Sequence, residues 1–220
     1  MRELLPSGTP VEVVRPEAPS AGLVVVPDIF GLRELFDDLV ARLSADHGWA
    51  VAAFEPFPDQ QPPSVEERMG LMPTMHDERW VADAVATADL LGVEPVGILG
   101  FCMGGMVTMK AAATGRFHRA VPFYGMVRNP EAWQSTTNLD AMDALLGAPG
   151  SAERVLAVMG TADPYTPPGH LDELEAAGGT VLRYEGAEHG FVHDPARPAH
   201  RADDAADAWQ RAIAWLTPTT

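Results

Sequence analysis

Val96-Gly97-Ile98-Leu99-Gly100-Phe101-Cys102-Met103-Gly104-Gly105 is the stretch whose reading decides the fold. Val96 to Leu99 is a short apolar run, as expected of a strand covered on both faces. It leads into Gly-x-Cys-x-Gly-Gly, and a helical pattern follows to about Thr114, where Gly115 ends it. Glycines two before and two after Cys102 remove side chains that would collide across a sharp strand-to-helix turn. Such a turn presents its central residue at the tip, with the helix N-terminus directed at it. That placement favours a thiolate and a developing oxyanion.

Working outward, short β-rich runs alternate with helical patterns, which predicts a mostly parallel central sheet with helices on both faces. The predicted strands are Val11–Arg15, Gly22–Val26, Ala50–Phe54, Val96–Gly100, Ala120–Phe123, Arg154–Met159 and Thr180–Tyr184. Leu35, Leu39, Val40 and Leu43 recur at helix spacing, as do Trp80, Val81, Ala84, Val85 and Ala88 within 77–91. Leu171 to Ala177 and Asp203 to Leu216 supply two further helices, the last with Ala205, Trp209, Ile213 and Leu216 on one side. Glu55 to Pro73 is rich in proline and polar residues and reads as a long loop with little regular structure. Asn129 to Gly150 has room for one short helix. One domain over 1–220 accommodates all of this.

Two later segments bear on Cys102. Asp163 lies in Met159-Gly160-Thr161-Ala162-Asp163-Pro164, just past one predicted strand. His189 lies in Glu185-Gly186-Ala187-Glu188-His189-Gly190-Phe191, just past the next. Loops at the carboxyl ends of parallel strands share one edge, where such sheets place their sites. The order nucleophile, acid, histidine is the one α/β-hydrolases use.

The chain resembles the dienelactone hydrolase family, small α/β-hydrolases with a Cys-His-Asp triad, from about Val11 to Leu216. Beyond the elbow and the two loops, the resemblance rests on Pro27-Asp28-Ile29-Phe30-Gly31-Leu32 and on Phe123-Tyr124-Gly125. It implies an α/β-hydrolase fold with no separate cap domain. Cys102 would attack an ester or lactone carbonyl, His189 would act as base and Asp163 would orient it. The backbone N–H groups of Met103 and Ile29 would form the oxyanion hole. Asp28 occupies the place of a family glutamate that contacts the resting thiol. Phe30, Tyr124 and Trp80 are expected near the pocket. Where dienelactone-cleaving members have a carboxylate-binding arginine four residues past the histidine, this chain has His193. Arg68, with Arg79 next, is then the candidate for the family's other substrate arginine. A single forked guanidinium at most would remain, so neutral esters or lactones are the expected substrates.

Composition narrows the classes. Thirty-one acidic against 15 basic residues give a formal net charge of -16, a field that repels nucleic acid. One cysteine excludes an intrachain disulfide and a multi-cysteine zinc site. No metal-ligand cluster, phosphate loop or dinucleotide fingerprint appears, so no cofactor and no metal are expected. No apolar run approaches the roughly 18 residues that cross a bilayer, and Met1 to Pro10 does not read as a signal peptide. The expectation is a cytoplasmic monomer or small homo-oligomer that takes a small-molecule ester or lactone. Two alternatives share the scaffold: a thioester or peptide hydrolase, and a non-enzymatic thiol-sensing or binding protein.

Overall fold

Eight strands form one sheet in the computed structural model, which describes residues 2–58 and 64–218. They are β1 (Arg2–Leu4), β2 (Pro10–Val14), β3 (Gly22–Val26), β4 (Ala50–Phe54), β5 (Val96–Phe101), β6 (Ala120–Phe123), β7 (Leu156–Gly160) and β8 (Thr180–Tyr184). Their order across the sheet is β1-β2-β4-β3-β5-β6-β7-β8. β1 pairs antiparallel with β2, and β2 with β4, while every other pairing is parallel. β3, β4 and β5 are buried along their whole length, which is why they read as unbroken apolar runs.

Among the described residues seven α-helices cover the sheet: α1 (Glu34–His47), α2 (Val65–Leu71), α3 (Asp77–Leu91), α4 (Met103–Ala112), α5 (Ala141–Gly147), α6 (Pro168–Ala176) and α7 (Ala202–Leu216). Alternate residues of each strand face opposite layers. Leu23, Val25, Val51, Ala53, Leu99 and Phe101 meet α1 and α7. Val24, Val26, Ala52, Phe54 and Ile98 meet α3, α4, α5 and α6. α1 and α3 end where sequence chemistry says they should, at Gly48 (φ 66°) and Gly92 (φ 65°), both left-handed. The chain leaves β3 by one face and β4 by the other, so a crevice opens above the carboxyl ends of β3 and β5.

Several expectations need correction. The amino-terminal residues add the strand β1, outside the predicted strands. Within Glu55 to Pro73, residues 59–63 lie outside the described residues, but Val65–Leu71 is helical and a 3-10 turn follows at Met72–Thr74. The cause is a capping box: Ser64 Oγ accepts the Glu67 N–H at 3.2 Å, and the Glu67 carboxylate accepts the Ser64 N–H at 3.1 Å. In Asn129 to Gly150, α5 is preceded by a 3-10 turn at Glu131–Trp133. α7 buries Ala205, Ala208, Ala212 and Leu216, leaving Trp209 and Ile213 only partly covered. Among the described residues no helix is long and apolar enough to cross a membrane.

Candidate active site

Cys102 stands between β5 and α4 with φ 55° and ψ -120°, a conformation that costs a side-chain-bearing residue about 1–3 kcal/mol. Three backbone bonds hold it there. Its N–H donates to Phe123 O at 3.0 Å, and its carbonyl accepts from Gly105 N at 2.9 Å and Met106 N at 3.2 Å. The glycine spacing has a steric cause. A Cβ on Gly100 would lie 2.3 Å from Gly104 O, and one on Gly104 would lie 2.2 Å from Val26 O. The strands and the helix therefore approach one another more closely than any other residue permits.

His189 follows β8 and Asp163 follows β7, and Nδ1 of the histidine lies 2.7 Å from Asp163 Oδ2. Asp163 is fully buried at its side chain and is oriented by the Tyr165 N–H, which donates to its Oδ1 at 2.9 Å. The imidazole is flanked edge-on by Tyr124 (5.2 Å between centroids) and Tyr165 (5.0 Å). With Nδ1 donating to the carboxylate, Nε2 is the nitrogen left for a proton, and it is buried without a hydrogen-bond partner among the described residues. Burial opposes a positive charge on His189. The nearby Cys102 sulfur and Asp163 outweigh that effect and raise its pKa to about 10.

These groups open into a cavity of about 340 Å³. Cys102 and His189 line it together with Ile29, Phe30, Met126, Trp133 and Tyr165, and α2 contributes Val65 and Met69. Arg197 completes the wall, with its guanidinium 5.8 Å from the Phe30 ring centroid. No acceptor among the described residues takes the backbone N–H of Ile29 or of Met103. Ile29 lines the cavity beside Cys102, and Met103 is the residue that follows Cys102 in the chain. No group of three or more His, Cys, Asp or Glu side chains among the described residues is arranged to hold a metal ion. A more open groove of about 510 Å³ between α1 and α7 holds no nucleophile.

Of the remaining sequence candidates, only Phe30 reaches this cavity. Asp28 does not contact the thiol. Its Oδ1 accepts from Arg33 at 2.6 Å and from the Phe30 N–H at 3.0 Å, and its Oδ2 accepts from Arg33 at 3.0 Å and His193 Nε2 at 2.9 Å. Its shorter side chain lies 1% exposed within the protein, with its acceptor sites already filled. His193 is likewise buried, stacked on Phe101 at 4.6 Å, with Nδ1 bonded to the Tyr124 hydroxyl. Tyr124 is behind the cavity for the same reason. Trp80 is a core residue whose Nε1 donates to Pro56 O at 2.9 Å. Arg68 lies 5.0 Å over Phe57, and neither it nor Arg79 is on the cavity wall. In place of those arginines stands Arg197, eight residues past His189, and no periodicity or motif marked it. Tyr165 carried a weak signal, since Asp163 two residues earlier invites a side-chain-to-backbone turn.

Comparison with known proteins gives the family of the chain. The sequence profile of the dienelactone hydrolase family matches residues 10–220. A Methylorubrum extorquens protein with the provisional name carboxymethylenebutenolidase is 32% identical, over 90% of this chain and 72% of its own. A Bradyrhizobium protein named, also provisionally, as a 2-oxo-3-(5-oxofuran-2-ylidene)propanoate lactonase is 26% identical, over 88% of this chain and 82% of its own. Among solved structures, one from Klebsiella pneumoniae, provisionally called a dienelactone hydrolase, superposes with a TM-score of 0.82 at 24% identity and matches it in fold. It covers 98% of this chain and 97% of its own. The elbow, the two loops behind it and the similarity along nearly the whole sequence have one explanation: the chain belongs to the dienelactone hydrolase family.

Proposed function

We propose that this protein hydrolyses carboxylic ester or lactone bonds through a thioester on Cys102. The observation that carries the reading is the junction of a strained cysteine at a helix N-terminus with an Asp163-oriented His189 on one cavity wall. Cys102 Sγ, its proton already held on His189 Nε2 as the raised imidazole pKa favours, attacks the carbonyl carbon. The carbonyl oxygen becomes an oxyanion and accepts from the Ile29 and Met103 N–H groups; each such donor is worth about 3 kcal/mol of barrier. Collapse breaks the C–O bond, and the leaving oxygen takes the proton from His189. Water then attacks the thioester while His189 accepts its proton. That proton stays on His189 as the carboxylic acid departs and the thiolate is restored.

The cavity walls favour one substrate class. They are mostly apolar, with one guanidinium, Arg197, that no carboxylate among the described residues pairs. An unpaired arginine beside a nucleophile suits a carboxylate-bearing lactone, in line with the keto-acid lactone in the name of the Bradyrhizobium relative. The preference for neutral substrates expected from His193 gives way to this proposal, because the charge comes from a residue four positions further on.

The test is Cys102→Ala with intact-mass analysis of the parent. The folded variant is expected to lose at least about a thousandfold in turnover of activated esters. Stoichiometric alkylation of the parent at its one thiol should inactivate it in step. Parent-like turnover by the folded variant would refute the thioester mechanism.

A further inference from the structure

Arg33, Asp28, His193 and Tyr124 form one continuous chain of hydrogen bonds, buried from Asp28 to Tyr124 and reaching the surface at Arg33, that the proposed mechanism does not use. Its polarity follows from its acceptor. The Asp28 carboxylate is forked by Arg33, with contacts of 2.6 and 3.0 Å, so His193 Nε2 must carry the proton it shares with Asp28 Oδ2. Nδ1 of His193 is then an acceptor, and the Tyr124 hydroxyl donates to it. Burial keeps His193 neutral, in agreement with that assignment.

Each member holds a different part of the site. Asp28 Oδ1 accepts the Phe30 N–H at 3.0 Å and Asp28 O accepts the Gly31 N–H at 2.9 Å, a turn whose apex is Ile29. Tyr124, held at φ 39°, packs its ring edge against His189. His193 lies in the same β8–α7 loop as His189, and its ring is fixed against Phe101. The buried imidazole is thus a hydrogen-bonded joint between the loop of the oxyanion donor and the loop of the base.

We infer that His193 is a positioning residue: through Asp28 it fixes the direction of the Ile29 N–H. This rests on the oxyanion role proposed above for Ile29. A misdirected donor weakens acyl transfer, where negative charge develops on oxygen. It leaves thiol alkylation by iodoacetamide alone, because displacement at saturated carbon develops no oxyanion. The two reactions at one sulfur therefore separate positioning from general damage.

For His193→Leu, folded by circular dichroism, kcat for a p-nitrophenyl ester should fall about 10- to 100-fold, with KM within about twofold. The alkylation rate of Cys102 and its pH profile should match the parent. His193→Gln offers one donor and one acceptor and should recover part of kcat. Tyr124→Phe removes only the hydroxyl and should show the same pattern more weakly, which keeps the test available if His193→Leu does not fold. Unchanged kcat in a folded variant would overturn the inference, as would alkylation falling in step with kcat. Failure of the thioester mechanism itself would appear separately, as hydrolysis by Cys102→Ala.

Discussion

Two carboxylate–histidine pairs draw their histidines from one loop, Asp163 with His189 and Asp28 with His193, and they behave oppositely. Their bonds are nearly the same length, 2.7 and 2.9 Å, and all four side chains are largely or wholly buried. Yet the pKa of His189 is raised and that of His193 is lowered. The difference lies in what else each pair meets. His189 has a free Nε2 beside the Cys102 sulfur, whose charge favours imidazolium. His193 has both nitrogens engaged, and the carboxylate beside it is already neutralised by Arg33. Burial then dominates and the ring stays neutral. A carboxylate–imidazole contact is therefore not a catalytic pair by itself; the second nitrogen decides.

The largest effect should come from the outer pair, Asp163 and His189, which reaches the cavity; Asp28 and His193 are the inner pair. His189→Gln is expected to lower ester turnover about a thousandfold or more, and Asp163→Asn by roughly a hundredfold, because Asp163 orients but exchanges no proton. Steady-state kinetics on folded protein measure both. Normal hydrolysis by His189→Gln would place the base elsewhere.

The inner pair should reveal itself in stability. Burial resists charge on Asp28, but the bonds from His193 and Arg33 prevail and lower its pKa from 3.8 to about 2. A lowered carboxylate pKa stabilises the fold above the unfolded value and loses that contribution as pH falls towards the folded one. Asp28→Asn should thus be about 2 kcal/mol less stable than the parent at pH 7, and the gap should close between about pH 4 and pH 2. Urea titrations across that range check it. A gap that does not vary with pH would mean that Asp28 acts through shape and not charge.

A smaller effect sharpens what the outer pair faces. Arg197→Ala should lower kcat/KM for a carboxylate-bearing lactone about tenfold and leave a neutral ester within about twofold. Equal losses on both substrates would make Arg197 a wall residue without a role in charge recognition.

Much of this molecule was legible in its residue order. β3, β4 and β6 stand at the predicted boundaries, because buried parallel strands are continuous apolar runs, and so does the edge strand β8, whose β-rich residues follow Gly178-Gly179. The elbow was legible because its glycines answer a steric demand within a few residues of Cys102. α2 was legible in principle from Ser64 and Glu67, but the prolines around them argued for a loop. Arg197, Trp133 and Met126 on the cavity wall, and the inward turn of Asp28 and His193, were decided only by tertiary structure. Sequence order places His193 four residues past His189, in line for a substrate. The fold instead carries it under Tyr124 and onto Asp28, 165 residues away in the chain. No local rule encodes such a meeting: it depends on which buried donors and acceptors the packed strands bring within bonding distance.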